Sequence, residues 1–162
     1  MILLFLILSQ APSFTLKDLD NNEVVLDSLL KKGPVVLEFW ATWCKYCIKQ
    51  LNSFKELNEK FENVTFVGIN EDGPRTQRKV PLVVKSWEWE FLILYDDNQK
   101  ILKLFQVQAL PHTFIIGKNR EILYQHIGYR KKDEEQIAKK LLSILKETKL
   151  QETELEEPEK SD

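Results

Sequence analysis

The stretch Val35–Cys47, VVLEFWATWCKYC, constrains the fold more than any other part of the chain. From Val35 to Trp40 every residue except Glu38 is apolar. A continuous run of that length suits a strand buried on both faces, as in a sheet covered by helices on each side. Behind the two cysteines, Ile48, Leu51, Phe54, Leu57 and Phe61 recur at steps of three or four with polar residues between them. That spacing predicts an amphipathic helix. The strand therefore has to hand over to a helix at the cysteine pair itself.

The handover dictates chemistry. A thiol at a helix N-terminus faces unpaired backbone N–H groups and the positive end of the helix dipole, which stabilise its thiolate. Cys44 is placed there, and Lys45 adds a positive charge beside it. Cys47 follows one helical turn later, within reach of a mixed disulfide formed on Cys44. The expected roles are nucleophile for Cys44 and resolving thiol for Cys47. A cation next to the pair and the absence of proline between the cysteines favour the reduced form, and so a more oxidising couple.

Composition narrows the alternatives. These are the only two cysteines, whereas a disulfide-stapled secreted scaffold carries more at wider spacing. Structural zinc takes four Cys or His ligands, and His112 and His126 are the only histidines. No metal and no cofactor is expected. A formal net charge of -2, with Lys and Arg spread along the chain, gives no footprint for nucleic acid.

Strands and helices alternate through the rest of the chain. Phe14–Leu26 reads as a hairpin around Asp20-Asn21-Asn22, and Asp27–Leu30 as one helical turn. Strands are expected over Val64–Asn70 and Phe91–Tyr95, with a helix from Arg75 to about Trp87 that Pro81 starts or kinks. Gln99–Phe105 reads as a further helix, and Thr113–Ile116 with Ile122–His126 as a second hairpin. Asp133 caps a last helix using Ile137, Leu141, Leu142, Ile144 and Leu145. Such alternation implies an α/β, three-layer fold whose mixed sheet has an antiparallel edge.

Two segments carry a resemblance: Phe39–Cys47, FWATWCKYC, and Ala109–Ile116, ALPHTFII. With them, the region from Phe14 to Leu145 resembles the thioredoxin-fold superfamily, and most closely the TlpA/ResA-like thiol–disulfide oxidoreductases. The resemblance implies a thioredoxin-like fold with an N-terminal β-hairpin and an inserted segment over Glu71–Trp89. It also implies a cis-proline at Pro111 facing the cysteines, and substrate-binding roles for Trp43, Leu110 and Pro111. The partners so implied are other proteins with thiols or disulfides, engaged by transient mixed disulfides, together with an electron donor or acceptor protein; the protein itself is expected to be a monomer.

Glu38 stands where thioredoxins carry a buried aspartate, and a carboxyl beneath the pair could accept the proton of Cys47 as it attacks. The alternative is a surface acid at a sheet edge or paired with Lys31 or Lys32. Many members of the TlpA/ResA branch instead have an acid three residues after the second cysteine, where this chain has Gln50. His112 is open between a site or metal contact and a packed strand residue, and Tyr46 between stacking on a partner and plain exposure. Trp87 and Trp89 are expected to pack one face of the inserted segment. A copper-binding module using Cys44, Cys47 and His112 is the second functional reading. A peroxide-reducing enzyme is a third, although its threonine motif before a single cysteine is absent.

The boundaries expected are a signal-like apolar segment over 1–11, a domain over 12–148 and a disordered acidic tail over 149–162. The apolar run Ile2–Leu8 is too short to span a bilayer but matches an export signal, so an extracytoplasmic location is expected.

Overall fold

The computed structural model describes residues 9–156. The export signal read over 1–11 lies mostly outside them. Two compact units divide the chain, residues 1–129 and 130–162, where the sequence suggests one domain over 12–148.

The first unit contains β1 (Thr15–Asp18), β2 (Glu23–Val25), α1 (Leu26–Leu30), β3 (Val35–Trp40), α2 (Lys45–Lys60) and β4 (Thr65–Asn70). It continues with α3 (Val80–Ser86), β5 (Leu92–Tyr95), α4 (Lys100–Leu104), β6 (His112–Ile116) and β7 (Ile122–Ile127). The strands form one mixed sheet in the order β2-β1-β5-β4-β3-β6-β7. β3 is parallel to β4 and antiparallel to β6, so its ladder is paired on both sides. Antiparallel hairpins close both edges, β1–β2 on one side and β6–β7 on the other. This is the α/β, three-layer thioredoxin-like fold.

Side chains alternate along β3, and each set meets a helix layer. Leu37 and Phe39 join the cluster that contains Leu26 and Leu30 of α1 and Ile101 of α4. On the opposite face of the sheet, α2 lays Phe54 against Phe66 of β4, ring centroids 5.2 Å apart. Gly68 sits on that face because a Cβ there would approach Trp40 Nε1 to 2.9 Å and Ile93 Cδ1 to 2.8 Å. Glu38 and Trp40 share this second face.

Several expectations shift. Ser9, Gln10 and Ala11, expected to lie in the apolar segment, belong to the folded body: the N–H of Ala11 donates to Arg120 and that of Ile122 to Ser9, beside a bridge between Gln10 and Glu121. Ala11 is buried and joins the core cluster with Phe14 and Leu26. The helix expected from Arg75 begins as a 3₁₀ turn over Gln77–Lys79 and becomes regular at Val80, with Pro81 in its first turn. Proline lacks an N–H but needs no partner there. Of the two tryptophans, Trp89 is buried against Trp40 and Phe91 and donates to Asn52 Oδ1, whereas Trp87 is exposed.

The second unit is α5 (Asp133–Glu156), entered by Arg130 N–H donating to the Asp133 carboxylate. Of the acidic tail expected to be disordered over 149–162, residues 149–156 continue the helix, and 157–162 lie outside the described residues. Lys149, Leu150, Gln151, Glu152 and Leu155 are all good helix formers, and extending a helix adds a bond per residue with no new nucleus. Low hydrophobicity argues for disorder there, and helix propensity outweighs it. Among the described residues no helix is long and apolar enough to cross a membrane.

Candidate functional site

The handover from β3 to α2 occurs where the sequence places it. Cys44 is the N-cap of α2, extended at φ -92° and ψ 96°, and the Cys47 N–H donates to Cys44 Sγ at 3.2 Å. Its own N–H closes a turn to Ala41. Cys44 and Cys47 are joined as a disulfide. Cys44 is 9% exposed and Cys47 0%, so what little of the pair solvent reaches belongs to Cys44.

The approach to that sulfur is aromatic and cationic. Trp43 is exposed at 66% and Tyr46 at 58%. Tyr46 stacks on Tyr129 with centroids 6.1 Å apart, and Lys49 Nζ lies 5.6 Å from the Tyr46 centroid. The Tyr46 alternatives named from sequence do not include this intramolecular stack. Leu110 and Pro111 precede β6, the peptide bond between them is cis, and the Pro111 carbonyl accepts the Gly128 N–H. Pro111 is buried and Leu110 half-buried.

Glu38 has no solvent exposure and lies between Gly68 and Thr113 in the ladder. Thr113 Oγ1 approaches its Oε2 at 3.4 Å. That central position corrects the alternative of a surface acid at a sheet edge, while Lys31 and Lys32 are exposed. His112 is buried with its ring stacked on Phe114 at 4.2 Å, and burial holds its pKa below the usual value, with Gln125 opposing. It is a packed strand residue. Gln50 is buried and offers its amide to Ser53. Among the described residues, no group of three or more His, Cys, Asp or Glu side chains could hold a metal ion.

Two acids that the sequence reading passes over support the site from the end of β4. Asp72 accepts from the Thr42 N–H at 2.7 Å and from the Thr42 hydroxyl at 2.6 Å, while the Asn70 amide donates to it at 2.7 Å. Thr42 lies in the turn that delivers Cys44, so Asp72 pins that turn to the neighbouring strand. Burial works against the Asp72 carboxylate, yet the hydrogen bonds from Thr42, Thr76 and Asn70 outweigh it and lower its pKa. Its neighbour Glu71 goes the other way. Burial, then the charge of Asp96 and a shared hydrogen bond, push it up to about 9. The Asp96 carboxylate is fixed because it caps α4, accepting from Ile101 and Leu102.

The opposite shifts carry opposite linkage. Folded Glu71 keeps a proton that the unfolded chain releases above about 4.5, so its contribution to stability falls as pH rises from there to about 9. The Asp72 contribution is instead present above its unfolded pKa and lost on acidification. Glu71→Gln, which mimics the protonated acid, is therefore expected to flatten the fall in Tm between pH 6 and 9. Thermal melts across that range check this, and an unchanged slope would assign the pH dependence elsewhere.

Residues 7–125 match the AhpC/TSA family. A thiol-disulfide oxidoreductase ResA of Bacillus cereus is 33% identical over 125 residues, covering 77% of this chain and 72% of that protein. A crystal structure assigned to the thiol:disulfide interchange protein DsbE of Chlorobium tepidum superposes with a TM-score of 0.78. It is 26% identical, covering 85% of this chain and 96% of the other. Peroxidoxin BcpB of Mycobacterium tuberculosis gives a TM-score of 0.73 at 25% identity, covering 85% of this chain and 96% of its own. With a cysteine pair bonded at the head of α2 and a ResA relative spanning most of the fold, the chain belongs to the AhpC/TSA family as a TlpA/ResA-like thiol–disulfide oxidoreductase of thioredoxin fold.

Proposed function

We propose that the protein works outside the cytoplasm as a monomer, exchanging two electrons with thiols or disulfides of partner proteins through a mixed disulfide at Cys44. In the reducing direction the Cys44 thiolate attacks one sulfur of the partner's disulfide, and the departing partner thiolate takes a proton. Cys47 loses its proton and attacks Cys44 Sγ, the mixed bond breaks, and a second partner thiol leaves with the pair oxidised. In the oxidising direction the same steps run in reverse, and a donor or acceptor protein resets the pair. The observation that carries this reading is the asymmetry of the pair: Cys44 caps a helix N-terminus and keeps a residual 9% exposure, and Cys47 is fully buried one turn behind it.

Trp43, Leu110 and Pro111 are assigned to holding the partner chain beside Cys44. The exposure of Trp43 next to that cysteine supports this, as does the position of Leu110 and Pro111 at the head of β6, the strand paired with β3. Glu38 is assigned to the Cys47 proton. The apolar run Ile2–Leu8 supports export. Fusing residues 1–30 to a reporter active only outside the cytoplasm tests it, and a silent reporter would refute it.

The competing family chemistry is peroxide reduction. It is disfavoured by a second cysteine three residues from the first and already bonded to it. Reduced protein is expected to consume one equivalent of hydroxyethyl disulfide rapidly and hydrogen peroxide far more slowly. The opposite order would establish a peroxidase.

Asp72 enters this chemistry as a positioning residue. Removing the acceptor of two Thr42 hydrogen bonds leaves polar groups unpaired and frees the turn, so Asp72→Ala should cost about 2–3 kcal/mol in stability. It should also lower kcat/KM about tenfold through kcat rather than KM. Asp72→Asn keeps an acceptor and should restore much of both. Loss of stability alone, with kcat intact, would leave Asp72 a purely structural clamp.

A further inference from the structure

Four residues beside the disulfide form a surface that the exchange reaction alone does not require. Lys45 and Lys49 are both exposed on the first turns of α2. Among the described residues neither takes part in an ion pair. Tyr46 projects between them in sequence, more than half exposed, with Lys49 over its ring and Tyr129 stacked beside it. Tyr129 follows Gly128, whose N–H is bonded to Pro111, so the backbone of the Pro111 segment carries the second ring. The shelf thus joins the cysteine turn to the strand pair on which Pro111 sits.

Its charge runs against that of the molecule. The chain is net negative at -2, yet the only charged side chains between Trp43 and Gln50 are two lysines, Lys45 and Lys49. The acids on the adjoining loop, Glu71 and Asp72, are buried, the first protonated at neutral pH and the second engaged by Thr42 and Asn70. A rigid pair of rings offers apolar contact at little entropic cost, and unpaired ammonium groups at its edge attract carboxylates.

We infer that Lys45, Tyr46, Lys49 and Tyr129 form a recognition shelf selecting polypeptide disulfides with an aspartate or glutamate next to the cysteine attacked by Cys44. The inference rests on the exchange chemistry proposed above and names the class of partner it serves. The carboxylate pairs with Lys49 or Lys45 while the neighbouring chain lies on the tyrosine rings. The bonds broken and formed are those already described. The shelf changes only how long the partner's disulfide stays in place and how often it arrives.

The test compares two dodecapeptides, each with one internal disulfide and differing only in Asp or Lys beside both cysteines. Each rate with fully reduced protein is divided by the rate of the same peptide with dithiothreitol, which removes the intrinsic effect of the charge on thiol exchange. Exposed ion pairs and charge steering are worth roughly five- to tenfold at low salt, so the normalised kcat/KM should favour the Asp peptide by about that factor. The preference should collapse toward unity in about 0.5 M salt, because screening reduces the reach of surface charges to a few ångströms. Lys49→Glu should lower the ratio at least fivefold, and Tyr129→Ala should raise KM for both peptides. Equal normalised rates, a preference insensitive to salt, or a ratio unchanged in Lys49→Glu would overturn the charge selection. An unchanged KM in Tyr129→Ala would overturn the aromatic half. If wild-type protein reduced neither the peptides nor hydroxyethyl disulfide, the exchange reading itself would fall instead.

Discussion

Cys44→Ala is expected to abolish turnover of protein and small-molecule disulfides, a loss on the order of 10³-fold or more, as for removal of any covalent nucleophile. Cys47→Ala is expected to complete the first attack and stop there, accumulating a mixed disulfide with the partner. The difference follows from the helix cap. Cys44 Sγ accepts the Cys47 N–H at 3.2 Å and sits on the positive end of a sixteen-residue helix, so charge on that sulfur is stabilised where a partner can reach it. Cys47 is fully buried on the helix face turned to the sheet, where no partner disulfide can enter. It can meet only Cys44 Sγ, whose bond to the partner's sulfur it then displaces. Mass spectrometry of the two variants after incubation with a peptide disulfide separates the roles. An adduct on Cys47→Ala and none on Cys44→Ala is the expected pattern. The reverse, or full turnover by Cys44→Ala, would exchange or remove the assigned roles.

The same residues show why some of this site is legible in the sequence and some is not. β3 and α2 declare themselves by period: a run of apolar residues, then apolar positions at steps of three or four, with the cysteines at the junction. Such signals are local, and each is carried by adjacent residues. Asp72 is bound to Thr42 across thirty positions of sequence, and Tyr129 meets Tyr46 after β6 and β7 have intervened. No period encodes either contact. A usable clue exists for the first: Asn70, Glu71 and Asp72 end an apolar strand at the carboxyl edge of a sheet, where open α/β folds gather functional groups. For Tyr129 the only local sign is an aromatic residue directly after a glycine. Trp87 and Trp89 illustrate a third limit. Their spacing suggests a shared face, but Glu88 takes a positive φ between them, and the backbone turn sends one ring inward and leaves the other in solvent.

Glu38→Gln is expected to slow resolution of the mixed disulfide by about 10- to 100-fold at pH 7, at the lower end of what a single general base contributes. Glu38 sits in the middle of the most thoroughly paired strand, on the sheet face shared with Trp40 and covered by α2, and Cys47 lies on the buried side of that helix. A proton leaving Cys47 is shielded from bulk solvent there, and a carboxylate on the facing strand is a base that can receive it. The amide of glutamine keeps the shape and the ladder but cannot take a proton, so the first attack by Cys44 and the fold should survive. The deficit should shrink as pH rises, because Cys47 then loses its proton to hydroxide without help and the two proteins converge. Stopped-flow measurement of resolution, starting from the preformed mixed disulfide, isolates this step from the first attack. A variant whose rate follows the wild-type pH profile throughout would return Glu38 to a buried structural acid and leave the proton of Cys47 to another acceptor.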